Sequence, residues 1–236
     1  MKNKILKKII GLMGYKLIEK NSFKNNRTLS KNTLININSI LEFIFCNHNI
    51  NSLVQIGAND GRSFDELNRY IKKYKPRSIL VEPIKENFLK LEKNYKDMNN
   101  VELENSAISI DQEISFLYKV DSKFEKEYGS HIPAIPSFNK KHLINHGVKK
   151  KHIIQEKINS ISVQDLLNKY KVNKLDLFFV DAEGYDGKII YDLLLTTSFR
   201  PFIIFEFIHI ENSFFEKLNK KLIEENYLFF AVNENI

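Results

Sequence analysis

Apolar residues along this chain follow two rhythms. Short unbroken apolar runs, as in NSLVQIG at 51–57, SILVEP at 78–83, LDLFFVD at 175–181 and FIIFEF at 202–207, are bounded by polar or turn-forming residues and read as strands. Between them lie segments whose apolar residues recur every three to four positions and read as amphipathic helices: SFDELNRYIKKY, KENFLKLEKNYKDM with Phe88, Leu89 and Leu91, GKIIYDLLL, and FFEKLNKKLIEE. Ser63 with Glu66 three residues on has capping-box spacing and predicts a helix start at 63. A further helix is predicted in TLININSILEFIFCNHN, a third strand in VELENSAIS and a final apolar stretch in YLFFAV. No internal repeat is present. Alternation of this kind predicts an α/β fold, a mostly parallel sheet with helices on both faces. Ligands of such sheets bind outside the carboxyl ends of the strands.

The first strand runs into such an end. In VQIGANDG the strand stops at Gly57 and the chain turns through polar residues to Gly61, both suited to unusual dihedrals. Backbone amides there can hold an anion or a ligand carboxylate. The second strand ends in Glu82, 25 residues after Gly57, where a carboxylate can accept hydrogen bonds from the two hydroxyls of a ribose. The dinucleotide fingerprint G-x-G-x-x-G is not met, because the middle glycine is absent and Arg62 stands in the third position. A smaller nucleoside ligand, with no pyrophosphate to cradle, fits this turn better.

Charge changes the picture only at one end. The net charge of +7 suggests nucleic acid, but residues 1–31 hold nine Lys/Arg against Glu19, leaving 27 basic and 28 acidic residues in the remainder. The body is electrically balanced, so nucleic acid is not an expected partner. In MKNKILKKIIGLMGYKLI, Ile5, Leu6, Ile9, Ile10 and Met13 recur at helical spacing between lysines. Such a helix lies on an anionic membrane surface or an acidic partner, or packs on its own domain with its lysines in water. Gly11 and Gly14 interrupt the apolar stretch and no small-residue cleavage site follows, which argues against a signal peptide. NSFKNNRTLSKNT then reads as a linker. The division expected is a basic amphipathic segment at 1–32 and one domain at 33–236, with an insertion at 119–152. No apolar run reaches the length of a membrane span. The lone cysteine, Cys46, sits in the apolar run ILEFIFC and is expected as a buried packing thiol, compatible with a reducing, cytoplasmic setting.

The blocks VQIGANDGRSF, ILVEPIKENFLKLEKN, VELENSAIS, INSISVQDLL, KLDLFFVDAEGYDGKII and RPFIIFEF, in this order, resemble those of the FkbM family of S-adenosylmethionine-dependent methyltransferases, from about residue 50 to 232. The D-x-E-G of Asp181–Gly184 at a strand end is the most specific of them. The resemblance implies a class I, Rossmann-like methyltransferase fold, usually with seven strands. By it, Gly57, Ala58, Asn59 and Gly61 line the methionine end of the cofactor and Glu82 holds its ribose. Ser106 and Ala107 then lie near the adenine, and Asp181 and Glu183 between cofactor and substrate. Two features depart from the pattern. Gln55 stands where many class I enzymes carry an acid, and only NENI follows YLFFAV, so a final strand is expected to be short or missing.

Methyl transfer to a hydroxyl benefits from a general base, and Asp181, Glu183, Glu206, His131 and His209 are candidates. Asp181 is the first choice because it ends the apolar strand LFFVD; strand-end aspartates also cap helices, and Glu183 could bond the turn formed by Gly184 and Gly187. Asp181, Glu183, Glu206 and His209, were they to converge, would suit Mg, Mn or Ca more than zinc, but no metal is assigned. His131 lies in EYGSHIPAIPSFNKKHLINHG, a long aperiodic stretch read as a lid over the acceptor. Lys140, Lys141, His142, His146 and the run Lys149–Lys151 with His152 offer positive charge to an acidic acceptor, or form a solvated face. Asp165 in SVQDLL orients or caps a helix start. The expected function is an O-methyltransferase using S-adenosylmethionine on a hydroxyl of a sugar, glycan or related metabolite. The alternatives are the same fold with a protein or other small-molecule acceptor, and a non-catalytic partner-binding module.

Overall fold

The computed structural model describes residues 36–63, 65–110, 115–129, 132, 135–229 and 231. The basic segment expected at 1–32 and the candidate base His131 lie outside the described residues.

The core is a five-stranded parallel sheet of β1 (Ser52–Ile56), β2 (Arg77–Val81), β3 (Val101–Glu104), β8 (Leu177–Val180) and β9 (Phe202–Phe205), in the order β3-β2-β1-β8-β9. Glu102, Ile79, Val54, Phe178 and Ile203 share one register row across it. Because side chains alternate along a strand, Val54, Ile56, Val81, Phe178 and Val180 enter one core, and Leu53, Leu80, Leu177 and Phe179 the other. Both faces are covered, which is why these strands read as unbroken apolar runs. The second core takes Leu41, Ile44 and Phe45 of α1 (Ile37–Asn47), Tyr70 and Ile71 of α2 (Asn68–Tyr74), and Leu91 and Tyr95 of α3 (Lys85–Tyr95). On the opposite face pack α5 (Val163–Lys169), α6 (Asp186–Thr196) and α7 (Asn212–Glu224) through Leu166, Ile189, Leu193 and Leu218. Burying each such aliphatic side chain contributes about 1.5–3 kcal/mol before chain entropy is counted.

Two smaller sheets attach beyond the strand ends. β4 (Ala107–Ile108) pairs in parallel with β7 (Ser160–Ile161), and β5 (Ser115–Val120) pairs antiparallel with β6 (Ile153–Ile158). Between β5 and β6 lies the insertion, with helix α4 (Lys140–Asn145) and a separate apolar cluster of Val120, Ile132, Ile135, Leu143, Val148 and Ile153.

Several expectations are corrected. The helix expected from residue 63 begins at Asn68; Ser63 instead bonds Asp60, and the carboxylate of Asp65 accepts from the amides of Leu67 and Asn68. The stretch VELENSAIS divides at Asn105, whose side chain donates to the carbonyls of Glu82 and Pro83, so that β3 stays in the main sheet and β4 leaves it. Among the described residues YLFFAV forms no strand, as a short or missing final strand would have it, and the main sheet has five strands where the resemblance implies a usual seven. Cys46 is exposed, because its position on α1 lies off the stripe of Leu41, Ile44 and Phe45, and its thiol contacts Glu42 and the Tyr74 hydroxyl. Asp165 behaves as expected at a helix start: the N-cap Ser162 Oγ accepts from its amide at 3.0 Å and donates to its carboxylate at 2.8 Å.

Candidate active site

Strand order reverses between β1 and β8: successive strands run outward through β2 and β3, then restart on the other side with β8 and β9. The chain must diverge above such a point, and a crevice opens there. A cavity does lie at this end, lined by Gly57, Asn59, Glu82, Ser106, Ala107, Asp181 and Glu183, with Ile135, Pro136 and Phe138 of the insertion.

The two glycines of VQIGANDG serve different ends. Gly57 has φ +80°, and a Cβ on it would lie 1.9 Å from the Asp181 carbonyl oxygen, so only glycine lets the ends of β1 and β8 approach. Its amide and that of Ala58 donate to the Val81 carbonyl at 2.9 and 3.0 Å, tying the loop to β2. Gly61 instead packs on Leu91 and Tyr95, where a Cβ would come within 2.5 Å of either side chain. Of the four loop residues expected at the cofactor, Gly57 and Asn59 line the cavity; Ala58 is buried in the core and Gly61 anchors the loop to α3.

Glu82 is 5% exposed. Its Oε2 accepts from the Asn59 amide and its Oε1 from the Ile84 amide, both at 2.9 Å. The Asn87 side chain is a further donor to this carboxylate, which can accept about four hydrogen bonds in all. Burial pushes its pKa up to about 7 against these hydrogen bonds, and the Asp181 charge adds to the rise. Ser106, 2% exposed, and Ala107 form the neighbouring wall, where β3 gives way to β4.

Asp181 follows β8 directly and is exposed at the cavity mouth. The turn after it is held by a residue that went unread in the sequence, Asp186, fully buried at the start of α6. Its carboxylate accepts from the amides of Ala182 at 3.3 Å and Gly184 at 3.1 Å. Asp186 thus bonds the turn for which Glu183 was considered. The only clue in the sequence is its spacing, two residues past the glycine of D-x-E-G.

Burial, then the charge of Asp181, raises the Asp186 pKa to about 7. Glu82 and Asp186 therefore hold protons in the folded state at pH values where the unfolded chain has released them. Their stabilising contribution is full below about pH 4 and is lost as pH climbs through about 7. Between about pH 5 and about pH 8 the ligand-free protein loses thermal stability, and Glu82→Gln, which cannot ionise, flattens that decline; melting curves at the two pH values check both.

The amide at Gln55 is buried on the α2 side of β1 and donates from Nε2 to Asp65 Oδ1 at 3.1 Å. A carboxylate thus sits beside this position, supplied ten residues later by Asp65, whose pKa burial raises.

Side chains of the insertion meet the strand ends. Ser137 Oγ donates to the Glu183 carbonyl at 3.0 Å, and Phe138 packs on Tyr185 with ring centroids 4.8 Å apart. His142 on α4 is 8% exposed, and its Nε2 lies 2.8 Å from Glu183 Oε2. No hydrogen bond is formed at this approach, and Nε2 is buried without a hydrogen-bond partner. Burial lowers the His142 pKa, favouring the neutral ring. Lys140, Lys141, Lys149, Lys150 and Lys151 are exposed, as a solvated face requires. Buried His142 and His152 are not on it: His152 stacks on Phe124 at 3.8 Å and hydrogen-bonds the Tyr128 hydroxyl at 2.7 Å. Glu206 and His209, just beyond β9, reach the same region as Glu183.

Residues 55–229 match the sequence profile of the methyltransferase FkbM domain. No curated protein matches the chain. The profile covers both halves of the sheet, from Gln55 in β1 past the end of α7, and includes the cavity residues and the insertion. This chain belongs to the FkbM methyltransferase family.

Proposed function

We propose that the protein is an S-adenosylmethionine-dependent O-methyltransferase acting on a hydroxyl of a sugar, glycan or related metabolite, in the cytoplasm or at its membrane face. The observation that carries this reading is Glu82: a buried carboxylate at the end of β2, oriented by two amides, on the same cavity as Gly57 and Asp181. These residues suit the cofactor. Glu82 faces the cavity with acceptor capacity left for a ribose hydroxyl, Gly57 leaves backbone room at the methionine end, and Ser106 and Ala107 form an adenine wall.

When bound, the cofactor supplies a methyl group already activated on a sulfonium. The chain has to place an acceptor oxygen in line with it, exclude water and remove a proton. Ile135, Pro136 and Phe138 close the acceptor side, with the Phe138 ring suited to the C–H face of a sugar. Asp181, exposed at the mouth, takes the hydroxyl proton on its carboxylate, with Glu183 beside it to orient the acceptor. His131, in the same insertion, is a further candidate base. Of the described helices, none is long and apolar enough to cross a membrane.

Calorimetric titration tests the cofactor assignment: micromolar binding of S-adenosylmethionine and S-adenosylhomocysteine, with none for NAD, is expected. Absence of binding to folded protein overturns it. Glu82→Ala should weaken that binding by about 1–3 kcal/mol, the worth of lost hydrogen bonds to a charged acceptor. Ribose hydroxyls donate to the ionised carboxylate, so wild-type affinity should also rise with pH as Glu82 ionises near 7. An affinity unchanged in Glu82→Ala removes Glu82 from the site.

A further inference from the structure

Beside the cavity, side chains from three separate segments come together. His142 and His146 stand one turn apart at the end of α4, Glu183 follows β8, and Glu206 and His209 follow β9. The donor atoms of His142, His146 and His209 all lie within 4.8 Å of one another, and so do those of Glu183, Glu206 and His209. His209 belongs to both sets, and the 2.8 Å approach of His142 Nε2 to Glu183 Oε2 joins them a second time. The imidazoles crowd together, with centroids 4.6 Å apart for His142 and His146 and 4.7 Å for His142 and His209, the latter pair edge-on at 90°.

We propose that His142, His146 and His209, with a carboxylate from Glu183 or Glu206, form a binding site for a divalent first-row transition metal of the Zn2+ type. Three imidazoles and one carboxylate make a four-donor set rich in nitrogen, which favours Zn2+ over Mg2+ or Ca2+. Two histidines four residues apart on a helical turn present adjacent donors. An independent observation points the same way: His142 Nε2 is buried, lacks a hydrogen-bond partner and is aimed into the cluster. A buried nitrogen left so is costly unless something binds it. A cation here also relieves the crowding of acceptor atoms from two carboxylates. The remaining carboxylate can accept from the outer N–H of a ligating imidazole and fix its orientation.

The sequence alone assigns no metal and groups Asp181 with Glu183, Glu206 and His209. In the structure Asp181 is not part of either set, and the imidazoles that alter the metal preference come from the insertion. The bound ion would pin α4 to the loops after β8 and β9, holding the insertion in place as a wall of the cavity. That consequence does not depend on the identity of the methyl donor.

The test uses the untagged full chain, stripped with chelator and titrated with Zn2+ against a competing chromophoric chelator. One Zn2+ per chain and a raised melting temperature are expected. His142→Ala, His209→Ala and His146→Ala should each weaken binding by more than ~10-fold, the lower end of what even supporting residues contribute. His146 is exposed, so its variant keeps the fold even where His142→Ala does not. His48→Ala, on an exposed histidine at the other end of the sheet, should bind as wild type. S-adenosylmethionine titration of the same samples separates this proposal from the cofactor assignment, since either can fail alone. Lack of stoichiometric Zn2+, preference for Mg2+, or wild-type affinity in all three cluster variants overturns the metal site.

Discussion

Gly57→Ala is expected to destabilise the protein by about 3 kcal/mol or more and to abolish cofactor binding. Two costs combine. The alanine must hold φ near +80°, and its Cβ would lie 1.9 Å from the Asp181 carbonyl oxygen, a backbone atom that moves only if β1 and β8 separate. Separation strains the Asp181 amide's bond to the Ile56 carbonyl and disturbs the loop that carries Asn59 to Glu82. Gly147 provides the control. It has φ +85° with nothing within 4 Å of its would-be Cβ, so Gly147→Ala bears the dihedral cost alone. Thermal melts of both variants, with cofactor titration, should show Gly57→Ala far more damaged; equal losses would mean that the β1–β8 approach is not what demands glycine.

Asp181→Asn should reduce turnover by about 100-fold or more while leaving cofactor affinity within a few-fold, if its carboxylate takes the acceptor's proton as proposed. The turn after it is held by Asp186 through the Ala182 and Gly184 amides, and Asp181→Asn leaves those bonds in place. Asp186→Asn is the contrasting substitution, since it damages the fold and affects all functions together. Single-turnover rates with a hydroxyl acceptor, beside calorimetric affinities, distinguish the two. Turnover unaffected by Asp181→Asn would remove it as the base and direct attention to Glu183.

The sheet was legible because its strands are buried on both faces, and VQI, SILV, LFFV and FII leave no polar rhythm to confuse with a helix. The strand-end acids Glu82 and Asp181 were legible for the same reason: a charge ending an apolar run marks where the sheet stops. Local competition misled at Ser63, where capping-box spacing was present but Asp60 and Asp65 captured the available amides and hydroxyl. It misled again at Cys46, an apolar-run residue turned outward by helical rotation. What spacing could not show was anything assembled across distance. His142 and His146 looked like part of a basic solvated run, and Glu206 and His209 like a strand exit; only the return of the insertion to the sheet edge brings them together.

The insertion's small apolar cluster of Val120, Ile132, Ile135, Leu143, Val148 and Ile153 shares no residue with either core of the sheet. Substitutions that reshape it therefore leave the parallel strands' packing untouched. If the insertion walls the acceptor as proposed, evolution or an engineer can redraw that surface while the cofactor side is inherited intact, and residues 121–152 are the place to look for divergence in acceptors.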